Sequence, residues 1–147
     1  MASLQQRKEQ VAMLSVASNS VLLVFKLIVG MMIGSVSIIS EAIHSGMDLL
    51  AAIIAMFSVK KSHLPADKDH PFGHGKLENI SGLVEAALIF IAAFWIIFEA
   101  FKKLMSAEEV ASPGWGVAVM FLSAIVNFFV SRKLFQVGKE ADSIALQ

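Results

Sequence analysis

A histidine and an aspartate lie one helical turn apart in a strongly apolar part of the sequence. His44 and Asp48 fall within residues 38–59, and their spacing of four places both side chains on one helix face. A side chain that ionises inside hydrocarbon costs at least ~2.5 kcal/mol, so such residues usually mark an ion path, a proton relay or a ligand site. An imidazole nitrogen and a carboxylate oxygen form half of a ligand set for a divalent transition metal. The pair therefore predicts a metal half-site completed by another helix. The alternative is a hydrogen bond between helices, which often contributes only ~0.6 kcal/mol.

Two more charged residues are predicted at a similar membrane depth. Lys26 lies about eight residues before a turn at Gly34 and Glu41 lies seven after it, so an antiparallel hairpin brings them level. An intramembrane lysine usually pairs with an acid or extends to the interface. Glu41 is therefore either the ion-pair partner of Lys26 or a residue that supports the ligand His44 from the same helix face.

Glu85 is a further acid that we expect inside an apolar segment, on the side turned towards the other helices or a cytoplasmic vestibule. A proton-relay role is one interpretation, because an intramembrane carboxylate is costly to retain. Contact with water or a loop lysine near the helix end is the other.

A polar loop holds the second concentration of metal-ligating side chains. Residues 63–78 contain three histidines and three acids, and their prolines and glycines prevent a continuous helix. Asp67, His70 and His74 could therefore surround one cation with nitrogen and oxygen ligands. A solvated loop whose charges only mark topology is the alternative.

The composition indicates a membrane protein. Hydrophobic residues make up 56% of the chain and charged residues only 16%, in apolar blocks rather than at amphipathic spacing. The absence of cysteine excludes disulfides and thiolate metal sites, and the formal net charge of +0 gives no indication of nucleic acid as a partner.

Four apolar blocks are long enough to cross a bilayer, which predicts an all-α membrane protein. We expect three cytoplasmic segments beside the membrane helices: the amino terminus (1–11), a loop with metal-binding character (60–79) and a terminal segment (136–147). The transmembrane domain is predicted over 12–135, with helices near 12–33, 37–59, 80–101 and 115–135.

The basic residues indicate the orientation. Nine lysines and arginines fall in the amino terminus, in the loop 60–79 and from the end of the fourth helix onwards, where Arg132, Lys133 and Lys139 lie, against two, Lys102 and Lys103, in the third connection. Because cytoplasmic loops carry the excess of basic residues, both termini and the histidine-bearing loop are expected in the cytoplasm, most simply across the cell (inner) membrane.

Three motifs resemble the cation diffusion facilitator family of metal transporters. The resemblance implies a six-helix bundle followed by a cytoplasmic metal-binding domain, of which this chain would supply the first four helices as a truncated transporter. It also implies a tetrahedral transport site with two ligands from the second helix, here His44 and Asp48, and two from a fifth helix. The motifs are Gly34-Ser35, Glu41-Ala-Ile-His44-Ser-Gly-Met-Asp48 and Asp67-x-x-His70-Pro-Phe-Gly-His74-Gly75-Lys76-x-Glu78.

The function implied is efflux of a divalent cation, zinc foremost, by exchange with protons. A neutral imidazole and an ionised carboxylate are needed to bind the metal, so the cation and protons compete for the same groups. The partners expected are lipid, a divalent cation, protons and, at full length, a second copy of the chain, with no enzymatic activity. The alternatives are a four-helix membrane interaction or regulatory subunit without transport activity and, least favoured, an intramembrane metal enzyme.

Overall fold

The protein is a bundle of four long helices with no strand in the part of the chain described, which comprises residues 3–106 and 113–146 of a computed structural model. All four helices are long and apolar enough to cross a membrane. The prediction of an all-α, multi-pass membrane protein is therefore confirmed. The helices are α1 (Leu4–Ile33), α2 (Val36–Ser62), α3 (Lys76–Ser106) and α4 (Pro113–Glu140), followed by a short 3₁₀ helix, Ile144–Leu146.

Each helix is longer than its apolar block. The first begins at Leu4 rather than near residue 12, because the Ser3 side chain accepts the backbone N–H of Gln6 and the Gln6 side chain accepts that of Ser3. The third begins at Lys76 rather than near residue 80. Hydropathy locates the part of a helix that suits the bilayer, whereas the polar ends continue beyond it. Residues 1–2, the centre of the predicted third connection (107–112) and residue 147 lie outside the described residues.

A turn of two residues joins α1 and α2 into an antiparallel hairpin. Gly34 ends α1 with a φ of 68°, a left-handed conformation that favours glycine, and Ser35 caps the start of α2. At Gly30 the two helices approach so closely that an added Cβ would lie 2.9 Å from Cγ1 of Ile39. This contact fixes the depth at which the polar residues of α1 meet those of α2.

The second helix is the centre of the bundle, since it packs against α1 on one side and α3 on another, while α4 packs on α1. Its buried face consists mainly of alanine and serine, with Ile38 and Val59 near its ends, and small residues allow close approach of neighbouring helices. The third helix exposes a broad apolar surface, as expected for a helix facing lipid or further membrane helices. The buried small residues of α2 include Ala42, Ser45, Ala52 and Ala55, and the exposed aromatic residues of α3 are Phe90, Phe94, Trp95, Phe98 and Phe101.

Candidate functional site

His44 and Asp48 both line a cavity of about 280 Å³ between α2 and α3, which we call the α2–α3 cavity. Their i, i+4 spacing turns both side chains towards it, and both are half-buried. The wall contributed by α3 is apolar and offers no metal ligand; it consists of Leu88, Ile89, Ala92, Ala93 and Ile96. The described residues therefore provide a nitrogen and an oxygen here, but not a closed ligand set.

Asp48 also borders a second space of about 370 Å³, the central cavity, which extends towards the end of the bundle that carries the polar loop. Glu85 of α3 lines the same cavity, so the two carboxylates share one space. The Oε1 atom of Glu85 is inaccessible and has no hydrogen-bond partner among the described residues. An unpartnered carboxylate oxygen beside a cavity is suited to accept a proton or contact water.

A third cavity of about 240 Å³, the Glu99 cavity, lies on the other side of His44. Glu41 of α2 and Glu99 of α3 line it. His44 is common to this cavity and the α2–α3 cavity, and Asp48 is common to the α2–α3 and central cavities. The two predicted ligands therefore stand between neighbouring spaces along α2.

Lys26 reaches from α1 to the ligand-bearing face of α2. Its Nζ donates to Oε1 of Glu41 at 3.0 Å and to Oγ of Ser45 at 2.7 Å. The lysine side chain is 2% exposed and that of Glu41 28% exposed, so the pair is largely withdrawn from solvent. Of the two interpretations open for Glu41, the structure contains the ion pair with Lys26. Ser45 is an additional partner of the lysine.

The loop between α2 and α3 brings Asp67, His70 and His74 together. One ligand atom of each lies within 4.8 Å of the others, and Oδ2 of Asp67 is 3.4 Å from Nε2 of His74. The turn depends on Asp67 Oδ1, which accepts the backbone N–H of His70 at 2.7 Å, and on Gly73, whose φ is 80°. That backbone N–H of His70 is the main cause that holds the pKa of the exposed Asp67 carboxyl below its usual value. An ionised oxygen is thus placed beside two imidazoles, a set that suits zinc.

A cluster around Glu78 was missed by sequence reasoning. Its Oε1 accepts Lys8 Nζ in a short ion pair and Ser62 Oγ at 2.7 Å, while its Oε2 accepts Ser143 Oγ at 2.5 Å. Glu78 is only 8% exposed. Lys8 is one of the basic residues whose distribution indicates the orientation, and no local spacing predicts its contact with Glu78 across 70 residues or that of Ser143 across 65.

Comparison with known proteins gives one consistent family. The family model described as the cation efflux transmembrane domain matches residues 12–147. An uncharacterized transporter of Synechocystis sp. is 37% identical over 114 residues, which cover 78% of this chain and 37% of the relative. Magnetosome protein MamB of Paramagnetospirillum magneticum is 30% identical over 95% of this chain and 47% of its own length. Cation-efflux pump FieF of Yersinia pestis (strain Pestoides F) is 32% identical over 92% and 48% respectively. The chain spans about half the length of these relatives, or less.

Proposed function

Because the chain belongs to the cation diffusion facilitator family of membrane transporters, we propose that it forms the first four transmembrane helices of a divalent-cation exporter. The observation that carries the proposal is the pair His44 and Asp48, which line one cavity from one face of α2. Two ligating side chains in an apolar helix are costly to retain unless they bind something. We assign them to the transported cation, and assign transport rather than catalysis to the chain.

Zinc is the cation that we expect foremost. Imidazole nitrogen and carboxylate oxygen both bind zinc, and the absence of cysteine leaves no thiolate that would favour softer metals. Since the α3 wall of the α2–α3 cavity is apolar, the remaining ligands of a tetrahedral site must come from elsewhere. The family resemblance implies that they come from a fifth helix, with this chain as the first part of a longer transporter.

Exchange with protons follows from the chemistry of the same ligands. A cation that binds His44 and Asp48 displaces protons, and protonation from the opposite side of the membrane then weakens its binding. Glu85 shares the central cavity with Asp48 and has an unpartnered oxygen, so we assign it a proton-accepting role in the cytoplasmic vestibule. Asp67, His70 and His74 form a second cation site at the cytoplasmic surface.

The setting that we propose is the cell (inner) membrane. The lysine and arginine distribution supports an orientation with both termini and the loop in the cytoplasm. The family resemblance also implies a homodimer of the full-length protein. Neither assignment affects the chemistry of the ligands on α2.

Cobalt binding tests the membrane half-site directly. The loop ligands are first removed by His70→Ala and His74→Ala, and Co²⁺ is then titrated into the purified 147-residue chain while its visible absorption is recorded. We expect weak cobalt binding that falls at least about tenfold with His44→Ala or Asp48→Asn, because each removes one ligand of a two-ligand site. Asn19→Ala is the matched control, since Asn19 lines the central cavity without being an expected ligand. Cobalt binding that is indifferent to both ligand substitutions would contradict the proposal.

A further inference from the structure

The loop that carries the converging cation ligands, residues 63–75, is tied together across its base. The base is formed by the end of α2 at Ser62 and the first turn of α3 at Glu78, where Oγ of Ser62 donates to Oε1 of Glu78 at 2.7 Å. Lys8 of α1 donates to the same oxygen, and both side chains of this ion pair are 11% exposed. We call Lys8, Ser62 and Glu78 the clasp. It joins three helices at the point where the loop leaves the bundle and returns to it.

Glu78 is not itself placed to bind a cation. Its Oε1 is engaged by Lys8 and Ser62, and its Oε2 accepts Oγ of Ser143. The glutamate is buried and lies outside the group of side chains whose ligand atoms converge in the loop. A buried carboxylate with both oxygens engaged holds its neighbours in place through hydrogen bonds to a charged acceptor, which are stronger than those between neutral groups. Any contribution of Glu78 to the loop must therefore come through the residues that it positions.

His74 is the ligand that Glu78 fixes most directly. The carbonyl of His74 accepts the backbone N–H of Leu77 at 3.0 Å, so His74 belongs to the turn that opens α3. Its side chain is 9% exposed, against 51% for Asp67 and 56% for His70. His74 is thus anchored to α3 one turn before Glu78, whereas the other two ligands lie on the outer part of the loop.

Two further contacts join the α2 side of the loop to His74. Its Nδ1 lies 3.2 Å from the carbonyl oxygen of Pro65. A carbonyl can only accept, so this contact places the proton on Nδ1 and leaves the lone pair of Nε2 for a cation. Nε2 in turn lies 3.4 Å from Oδ2 of Asp67. The two sides of the loop are therefore joined three times, at the clasp, at Pro65 and at Asp67, in that order along the chain.

We propose that Glu78, held by Lys8 and Ser62, is the positioning residue of the loop cation site, so that the clasp brings the three ligands together before zinc arrives. A loop whose base is fixed loses less conformational freedom when its ligands close on a cation, so the clasp raises the affinity of the site. Because coupling is reciprocal, a bound cation also strengthens the junction of α1, α2 and α3 at this end of the bundle. The proposal rests on the loop cation site of the proposed function and adds the residues that assemble it.

The zinc affinity of the loop tests the proposal in the full 147-residue chain. The parent carries His44→Ala with Asp48→Ala, which removes the membrane half-site, and zinc is titrated in lipid nanodiscs against a competing chromophoric chelator. Ser62→Ala is expected to lower the affinity about tenfold, the usual loss when a group that orients a metal ligand is removed. Ser62→Thr keeps the hydroxyl and should stay within about twofold of the parent.

Two control variants separate positioning from stability, which is measured by thermal unfolding without zinc. Ser58→Ala removes a buried hydroxyl one turn earlier on α2 that has no hydrogen-bond partner among the described residues, so the zinc affinity should not change. Gly30→Ala strains the contact of α1 with α2 at the opposite end of the hairpin, and it should lower the stability but leave the affinity within about twofold. If Gly30→Ala lowers the affinity as much as Ser62→Ala does, the effect is general loosening and the proposal is overturned.

Hydrogen exchange measures the reciprocal effect. Saturating zinc should slow amide exchange in the first turns of α3, residues 77–81, in the parent, and should slow it less in Ser62→Ala. Equal slowing in both chains, each saturated with zinc, would show that the cation does not act on the clasp and would contradict the proposal.

The results also distinguish this proposal from the proposed function. Zinc binding that is lost with His70→Ala and His74→Ala, but is unchanged by Ser62→Ala and Glu78→Gln, would refute the positioning role and leave the loop site intact. A folded parent that binds no zinc would refute the loop site and, with it, the role of Glu78. Ser62→Ala decides the matter if Glu78→Gln, which leaves the charge of Lys8 buried without its counter-ion, fails to fold.

Discussion

Charge compensation around Lys26 illustrates how a single residue can affect the proposed cation site. The ammonium group is almost fully buried and is held by Glu41 and Ser45, the latter adjacent to His44 in the chain. Without the carboxylate, an uncompensated positive charge would remain close to ligands that must attract a cation. The ion pair therefore both joins α1 to α2 and limits repulsion at the site.

We expect Lys26→Met and Glu41→Gln each to lower the stability of the chain by about 3 kcal/mol, because each leaves one buried charge unpaired. The measurement is the free energy of unfolding in mixed micelles. Exchanging the charges, by Lys26→Glu with Glu41→Lys, should recover a large part of the loss. Arg7→Gln, which breaks an exposed pair with Glu140, should cost less than about 1 kcal/mol. An exchange that rescues neither single variant would argue against the pair.

The ionisation of Asp67 gives a pH prediction for the loop site. Its pKa is lowered mainly by the backbone N–H of His70, so its ionised form contributes stability above the usual aspartate range, and this contribution is lost only as the pH falls through the lowered value. We expect Asp67→Asn to weaken zinc binding by a similar factor at about pH 6 and about pH 8, since the carboxylate is charged at both. Asp69→Asn, a neighbouring exposed acid outside the cluster, is the control for calorimetric titrations. A loss confined to the higher pH would show that the Asp67 carboxyl is not ionised at about pH 6 and would contradict its role as a charged ligand of the loop site.

At the scale of elements, close contact of α1 with α2 positions the polar residues of both helices. Gly30→Ala would place a methyl group 2.9 Å from Ile39 Cγ1, so we expect it to destabilise the hairpin by about 1–3 kcal/mol. Gly46→Ala is the control, because it meets nothing within 4 Å and should be neutral or stabilising by up to about 1 kcal/mol. Thermal unfolding in detergent compares the two. Equal effects would show that helix contact at Gly30 is unimportant.

The membrane spans and the α1–α2 hairpin could be predicted from the sequence. Long apolar runs have a direct physical meaning in a bilayer, and the two-residue turn at Gly34 allows Lys26 and Glu41 to be matched by counting residues. The ends of the helices were harder to predict, because caps such as Ser3 with Gln6 extend α1 well beyond its apolar block. The Glu78 cluster could not be found at all, since its partners are distant in sequence and follow no helical or strand period.

At the scale of the whole molecule, the orientation in the membrane decides which solution reaches the loop ligands. We expect Lys68→Cys to be protected from an impermeant maleimide added to intact cells, because the loop lies on the side rich in basic residues. Met105→Cys, at the opposite end of α3 and 88% exposed, should react. The measurement is the labelling of each variant in intact and in lysed cells. The reverse pattern would invert the proposed direction of transport.

The most direct test of the central claim, that this chain handles a divalent cation through named histidine and aspartate ligands, is zinc calorimetry on the folded 147-residue chain in detergent. Two double variants accompany it: His44→Ala with Asp48→Ala, and His70→Ala with His74→Ala. We expect the wild type to bind zinc at two sites of different strength. The stronger binding should be lost in the loop variant, because the ligand atoms of Asp67, His70 and His74 already converge in the wild type, and the weaker binding should be lost in the membrane variant. A folded wild type that binds no zinc, or variants that bind as the wild type does, would contradict the claim.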